Sequence, residues 1–313
     1  MKKKNTTIIA ITAVAILAAC IIIGGIVYKN KSGSGTFRSI QIYQLNGQAT
    51  IEREKTGTLK ATENLMLQSG DDVSVKDESS LRLKMDEDKY ALVEENSEFG
   101  IVAEGTPEDS KTYIELRKGA ITSEIKNKLN SKSTYEVTTP NSVMAVRGTV
   151  FRVEVTQDEN GSYYVTLDTF EGEVSVRLIH PDGSIDKEEK IIKGGKQIVI
   201  YSNDKISEYL GEITDINYEE LPLNVLEFLL EIMEDGRKLE GITKEDLQKL
   251  IDEKQNEPDY YEVTFLYNGS SFAAQQVEPG NTVSKPKLVP SNSGDWDFDF
   301  SKKIHKNTTI EWK

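Results

Sequence analysis

Cysteine is almost missing from this chain: the one thiol, Cys20, lies in an N-terminal apolar stretch. Everything after it lacks disulfides, thiolate metal ligands and cysteine nucleophiles, and must be stabilised by packing. Histidine is nearly as scarce. His180 falls in a turn and His305 in the last module, so the two are not expected to share a site. No phosphate-binding glycine loop, zinc spacing or nucleophile elbow occurs. No spacing among the 52 acidic residues marks a catalytic pair. A solvated acidic surface is expected, and enzymatic activity, a metal or a cofactor is not. Positive charge is short as well: five lysines fall within the first 31 residues, leaving 33 basic against 52 acidic side chains, a net of −19. Such a surface repels nucleic acid and anionic headgroups, which excludes a nucleic-acid function.

Long apolar runs are missing too, with one exception. Ile8 to Tyr28 is uncharged over 21 residues, enough to span about 30 Å of hydrocarbon as a helix. Lys2, Lys3 and Lys4 precede it and Lys29 and Lys31 follow. The positive-inside rule then favours a cytoplasmic stub (1–7), a transmembrane anchor (8–28), a flexible linker (29–39) and an extracellular remainder. A second reading takes Leu17-Ala18-Ala19-Cys20 as a lipobox, with Cys20 lipidated as the new N-terminus. Ile21, Ile22, Ile23, Ile26 and Val27 continue the apolar run past it, which favours the uncleaved anchor. Either way the membrane is a partner of the N-terminus.

The remaining length suits two β-rich modules, 40–201 and 258–313, joined by a helical connector over 202–257. The chain is organised around Tyr135 to Val155. Strand-like runs at Tyr135–Thr139 and Val150–Val155 flank Pro140, Ala145, Val146, Arg147, Gly148 and Thr149. Proline cannot donate to a ladder and Gly148 can take positive φ, so the chain is expected to enter at a sheet edge and turn at Gly148. This stretch, with Phe170-Glu171-Gly172-Glu173-Val174-Ser175-Val176, resembles the signature of the FecR domain of bacterial envelope proteins. Leu67-Gln68-Ser69-Gly70-Asp71-Asp72-Val73 and Asn96-Ser97-Glu98-Phe99 resemble two earlier positions of that family. The resemblance implies an all-β domain with Pro140, Ala145, Val146, Arg147, Gly148, Thr149, Phe151, Glu171 and Gly172 as mainly structural signature residues. It also implies self-cleavage at Gly148-Thr149 as a further reading, the threonine hydroxyl attacking the preceding carbonyl. The alternative is that Gly148 supplies a backbone angle and Thr149 fills a strand.

Within the first module a motif recurs: a large apolar residue, then glycine, then an alternating strand, at Leu45–Ile51, Leu116–Ile121 and Phe170–Val176. It predicts equivalent corners stacked in one domain. Asp158-Glu159-Asn160-Gly161 and His180-Pro181-Asp182-Gly183-Ser184 read as hairpin turns, and neither has the ligand pattern of a calcium loop. Arg147 is expected to snorkel or pair with a carboxylate, with Glu171 as the proposed partner, or else to recognise an anionic ligand.

After residue 220 the period changes. Val225, Phe228, Leu229, Ile232 and Met233 share a helical face that Gly236 ends, and Thr243 opens a second helix to about Lys254. The helices dock on a sheet or bind a partner groove. The last 55 residues, with Tyr261–Gly269, Gln276–Val283, Pro286, Phe298–Ser301 and Thr308–Trp312, resemble the internalin-type B-repeat, which implies a small β-grasp-like module. The whole reads as a mainly β, single-pass cell-surface protein of a bacterium without an outer membrane. Its expected function is a non-enzymatic binding scaffold for an envelope protein or glycan. A signalling component of the FecR type is the alternative, and the short stub argues against direct sigma-factor binding. A structural spacer is the second alternative.

Overall fold

The computed structural model describes residues 38, 40–106, 108–158, 161–203, 206–288, 290 and 294–313. The expected anchor, Cys20 and most of the linker lie outside these residues. Among the described residues, no helix is long and apolar enough to cross a membrane. The chain forms two compact units, 1–216 with 228–243, and 217–227 with 244–313.

Up to residue 216 the first unit is all β. Its strands are β1 (Ile40–Asn46), β2 (Ala49–Arg53), β3 (Gly57–Lys60), β4 (Met66–Leu67), β5 (Asp71–Val75), β6 (Ser80–Met85), β7 (Lys89–Val93), β8 (Glu98–Thr106) and β9 (Asp109–Ile125). There follow β10 (Thr134–Thr139), β11 (Ser142–Val146), β12 (Val150–Gln157), β13 (Tyr163–Glu171), β14 (Glu173–Leu178), β15 (Lys190–Lys193), β16 (Lys196–Asn203) and β17 (Ile206–Asp215). One sheet runs β3-β2-β5-β8-β9-β10-β11-β14-β15. The other runs β4-β1-β6-β7-β9-β12-β13-β16-β17. β9 belongs to both, its first half paired with β8 and its second with β7 and β12. Alternating residues of the two sheets, among them Phe99, Leu116, Val137 and Met144 of the first and Leu83, Phe151, Leu167 and Ile198 of the second, meet in one apolar core.

The recurring glycine motif marks where the chain changes sheet. Gly47 lies between β1 and β2, Gly119 inside β9, and Gly172 between β13 and β14; their φ values are +77°, +79° and +84°. Only glycine takes this conformation without strain, and a methyl group at Gly47 or Gly119 would run into Ser79 or Ser97.

Two expectations need correction. The sandwich does not end near Tyr201, because β17 pairs with β16 beyond it. The short, irregular alternation there, interrupted by Gly211, hides the strand. Pro140 does not mark a sheet edge: β10 and β11 form a tight hairpin around Pro140 and Asn141, and both are interior strands. The turn needs no donor from residue 140, so proline fits without an edge. Ala145 and Val146 accordingly lie in β11 rather than in a bend.

Helix α1 (Leu223–Glu234) buries Val225, Leu226, Phe228, Leu229 and Ile232. It closes in a Schellman turn, with Gly236 N bonded to the Met233 carbonyl (3.1 Å) and Arg237 N to that of Ile232 (3.3 Å). Its second half docks on the outer face of the second sheet, where the Arg82 guanidinium lies 5.1 Å from the Phe228 ring.

The second unit holds helix α2 (Lys244–Gln255) and a three-stranded sheet, β19 (Ser270–Val277), β18 (Tyr261–Tyr267), β20 (Thr308–Glu311) in that order, with β18 and β20 parallel. Val263, Phe265, Trp296 and Ile310 form its core, with Trp296 packed edge-on against Phe265 at 5.0 Å.

Candidate functional site

The signature residues gather where β11 leaves the first sheet and β12 enters the second. The hairpin before this corner is pinned by its own polar residues. Thr139 and Ser142 hydroxyls lie 2.7 Å apart, and Asn141 Nδ2 donates to the Ile200 carbonyl at 3.4 Å, tying the turn across to β16. Val146 enters the core, Phe151 is fully buried edge-on to Tyr135, and the Tyr135 hydroxyl meets Ser123 Oγ at 3.0 Å. Between them Gly148 turns the chain at φ +96°.

At the first two sheet-changing corners, a serine hydroxyl accepts the amide just after the glycine: Ser79 Oγ from Gln48 N at 2.9 Å, and Ser97 Oγ from Ala120 N at 3.0 Å. The third corner breaks this pattern. Thr149 takes the serine's place beside Gly172, but its methyl faces the glycine, and its buried hydroxyl has no hydrogen-bond partner among the described residues.

Arg147 does not make the expected pair. It is exposed and has no ion-pair partner among the described residues, because residue 147 follows the last core position of β11 and points away from the sandwich. Glu171 instead accepts from Arg237 Nε at 2.6 Å, while Arg237 also donates to the Ile125 carbonyl at 2.9 Å and lies 3.6 Å from Glu124. Burial pushes the Glu124 carboxyl up, and Lys126 and Arg237 pull it back.

The buried arginine of β12 is Arg152, on the outer face of the second sheet. It grips Glu94 through two bonds of 2.7 and 2.9 Å, donates to Glu154 at 2.9 Å and stands 3.7 Å from Asp168. Arg152, Glu94 and Asp168 are 4%, 7% and 1% exposed, so this is a desolvated network. Burial works against the guanidinium's charge, but Glu94 and then Glu154 outweigh it and push its pKa up. Asp168, opposite Arg152 on β13, is pushed up to about 6 by burial, against the pull of Arg152 and a 2.6 Å bond from Gln197. The alternation Phe151, Val153, Val155 inward and Arg152, Glu154 outward was readable. The pairing with Glu94, 58 positions away, was not.

Asp168 yields a pH prediction. Its folded pKa lies above the ordinary 3.8, so between the two values the native state binds more protons and stability falls as pH rises. Asp168→Asn should therefore gain on the wild type by roughly 2–3 kcal/mol between pH 4 and pH 7. Urea unfolding of both proteins across that range checks this, and a constant difference refutes it.

Among the described residues no cluster of acids and histidines is arranged to hold a metal.

Residues 71–175 match the family model described as FecR protein. The chain thus carries a FecR domain whose matched segment runs from β5 into β14. Two crystal structures from Parabacteroides distasonis ATCC 8503, both provisionally assigned as anti-sigma factors, are similar to the chain. One is 10% identical, covering 77% of this chain and 98% of its own, with a TM-score of 0.38. The second is 12% identical, covering 61% and 92%, with a TM-score of 0.35. No curated protein matches. The FecR match corrects the expectation of a binding scaffold: it points to a regulatory component of signal transduction, the reading first held as the alternative. The expectation of a scaffold rested on the short stub expected before Ile8, which weighed against direct sigma-factor binding.

Proposed function

We propose, from the FecR domain at residues 71–175, that this chain is a non-enzymatic regulatory component that passes a signal from the bacterial cell envelope. In this proposal Ile8–Tyr28 anchors it in the cell membrane. The sandwich and the C-terminal unit, the latter read as B-repeat-like, stand outside. The single observation that carries the reading is the FecR match; the net acidity, which disfavours direct contact with nucleic acid, is compatible with it.

Cleavage of the Gly148-Thr149 bond stands within the proposal as an irreversible step. The Thr149 hydroxyl adds to the Gly148 carbonyl carbon, the amide nitrogen leaves as a free amine, and water hydrolyses the resulting ester. The positive φ of Gly148 and the Thr149 hydroxyl, without a hydrogen-bond partner among the described residues, support it.

The test is transcript profiling of the producing bacterium with and without the gene, under envelope stress and at rest. A coherent set of genes should change with the deletion and return on complementation. An unchanged transcriptome in both conditions overturns the regulatory reading. Intact mass of the purified chain reads the cleavage step separately, and a single full-length species removes it.

A further inference from the structure

The segment Phe228–Thr243 belongs to the sandwich unit, and it crosses the outer face of the second sheet by a series of ion pairs in chain order. Glu231 takes both terminal nitrogens of Arg82, at 2.6 and 2.9 Å. Asp235 takes Lys126 at 2.8 Å. Arg237 then reaches Glu171, Glu124 and the Ile125 carbonyl, and Glu240 N donates to the Phe170 carbonyl at 2.8 Å.

The last two anchors differ from the first two in what they touch. Ile125, whose carbonyl Arg237 holds, gives its own amide to the Thr149 carbonyl at 2.9 Å. Glu171 and Phe170 immediately precede Gly172, the residue against which the Thr149 methyl and the Gly148 carbonyl pack. One guanidinium therefore ties the strap to both flanks of the signature corner, through β9 on one side and the end of β13 on the other. The Schellman turn at Gly236 sends the chain back toward the sheet and so aims Arg237. Glu231 makes no such connection, and Asp235 meets only the ammonium of Lys126, not the backbone of the corner.

We infer that Phe228–Thr243 is a release strap whose C-terminal end, through Arg237, holds the Gly148-Thr149 corner closed. The inference rests on the regulatory reading and gives it a conformational element. The chain leaves the strap after Thr243, so displacement starting from that side breaks the Glu240 and Arg237 contacts first and frees the corner. The Arg82 and Lys126 anchors still keep α1 in place at that point. Guanidinium–carboxylate contacts of this kind are strong when paired and can be exchanged for water, and the buried side chain between Arg237 and Glu240 is the single Leu239.

Hydrogen–deuterium exchange on the full chain in detergent micelles tests it. Arg237→Ala should speed exchange in peptides covering Glu124–Lys126 and Arg147–Arg152 by at least about tenfold, since its charge-assisted bonds to Glu171 and to the Ile125 carbonyl are both lost. Peptides of β5 and β8 should stay unchanged. Arg82→Ala, which cuts the other end of the strap, should leave the corner within about twofold of wild type on the same local-opening argument. Should Arg237→Ala not fold, Glu171→Gln reads the same contact. Acceleration confined to the corner and to the Arg237 side supports the strap. No acceleration, acceleration throughout the sandwich, or an equal effect of Arg82→Ala overturns it. A negative transcript experiment would remove the regulatory reading and leave the exchange result standing.

Discussion

Arg152→Met is expected to lower the unfolding free energy by about 3–5 kcal/mol, the loss that follows when one partner of a buried ion pair is removed. The guanidinium is 4% exposed and serves Glu94, Glu154 and Asp168 at once. Methionine fills much of the same volume, so the effect reports charge rather than a cavity. It leaves Glu94 at 7% exposure and Asp168 at 1% without a cation. Asp168, whose pKa burial already raises, can escape by taking up a proton, so the deficit should be largest near neutral pH and shrink toward pH 5. Arg152→Lys should recover only part of it, since an ammonium cannot reproduce the two-bond grip on Glu94. Urea midpoints at pH 7 and pH 5 measure all of this. A loss below about 1 kcal/mol, the scale of an exposed pair, would contradict the desolvated geometry.

Gly148→Ala should cost about 2–6 kcal/mol from two separable sources. An L-residue at φ +96° is strained by about 1–3 kcal/mol wherever it occurs. A methyl group here also comes within 2.9 Å of Lys128 Cα and 3.2 Å of the Asn127 carbonyl oxygen. Both are backbone atoms, so relief requires moving the chain, and overpacking of this kind adds about 1–3 kcal/mol. Gly161→Ala is the natural control. Its φ of +85° carries the same strain, but its nearest neighbour is a side-chain nitrogen 3.7 Å away. Thermal unfolding of both variants should place Gly148→Ala well below Gly161→Ala. Equal destabilisation would mean that Lys128 yields without cost.

Local features were legible in the sequence where one residue type answers one geometric need. The turn at Gly161, the Asp182-Gly183 turn, the Gly236 helix end and the three sheet-changing glycines are of this sort, and each stands where its chemistry required. Legibility failed where a residue's role depends on partners far along the chain. Arg147 looked like the signature's ionic anchor because it sits among apolar neighbours, yet strand parity puts it outside. Arg152, five positions on, carries the buried charge. Glu171 was identified as a partner, but its cation comes from residue 237, beyond the matched segment, and no local pattern announces that return. β17 was missed for another reason: a strand paired on one side only, bulged and carrying Gly211, offers little alternation to read.

β9 runs 17 residues and is hydrogen-bonded into both layers. A sandwich joined only by loops can in principle lose one face while the other persists. Here the same backbone is a rung of each ladder, so fraying either layer past Gly119 unravels the other from within. The thermodynamic consequence is one cooperative transition for everything from β1 to β17, with no stable half-molecule. A partial change in this unit is therefore expected at its rim, in corners and covers, where no strand is shared by the two layers.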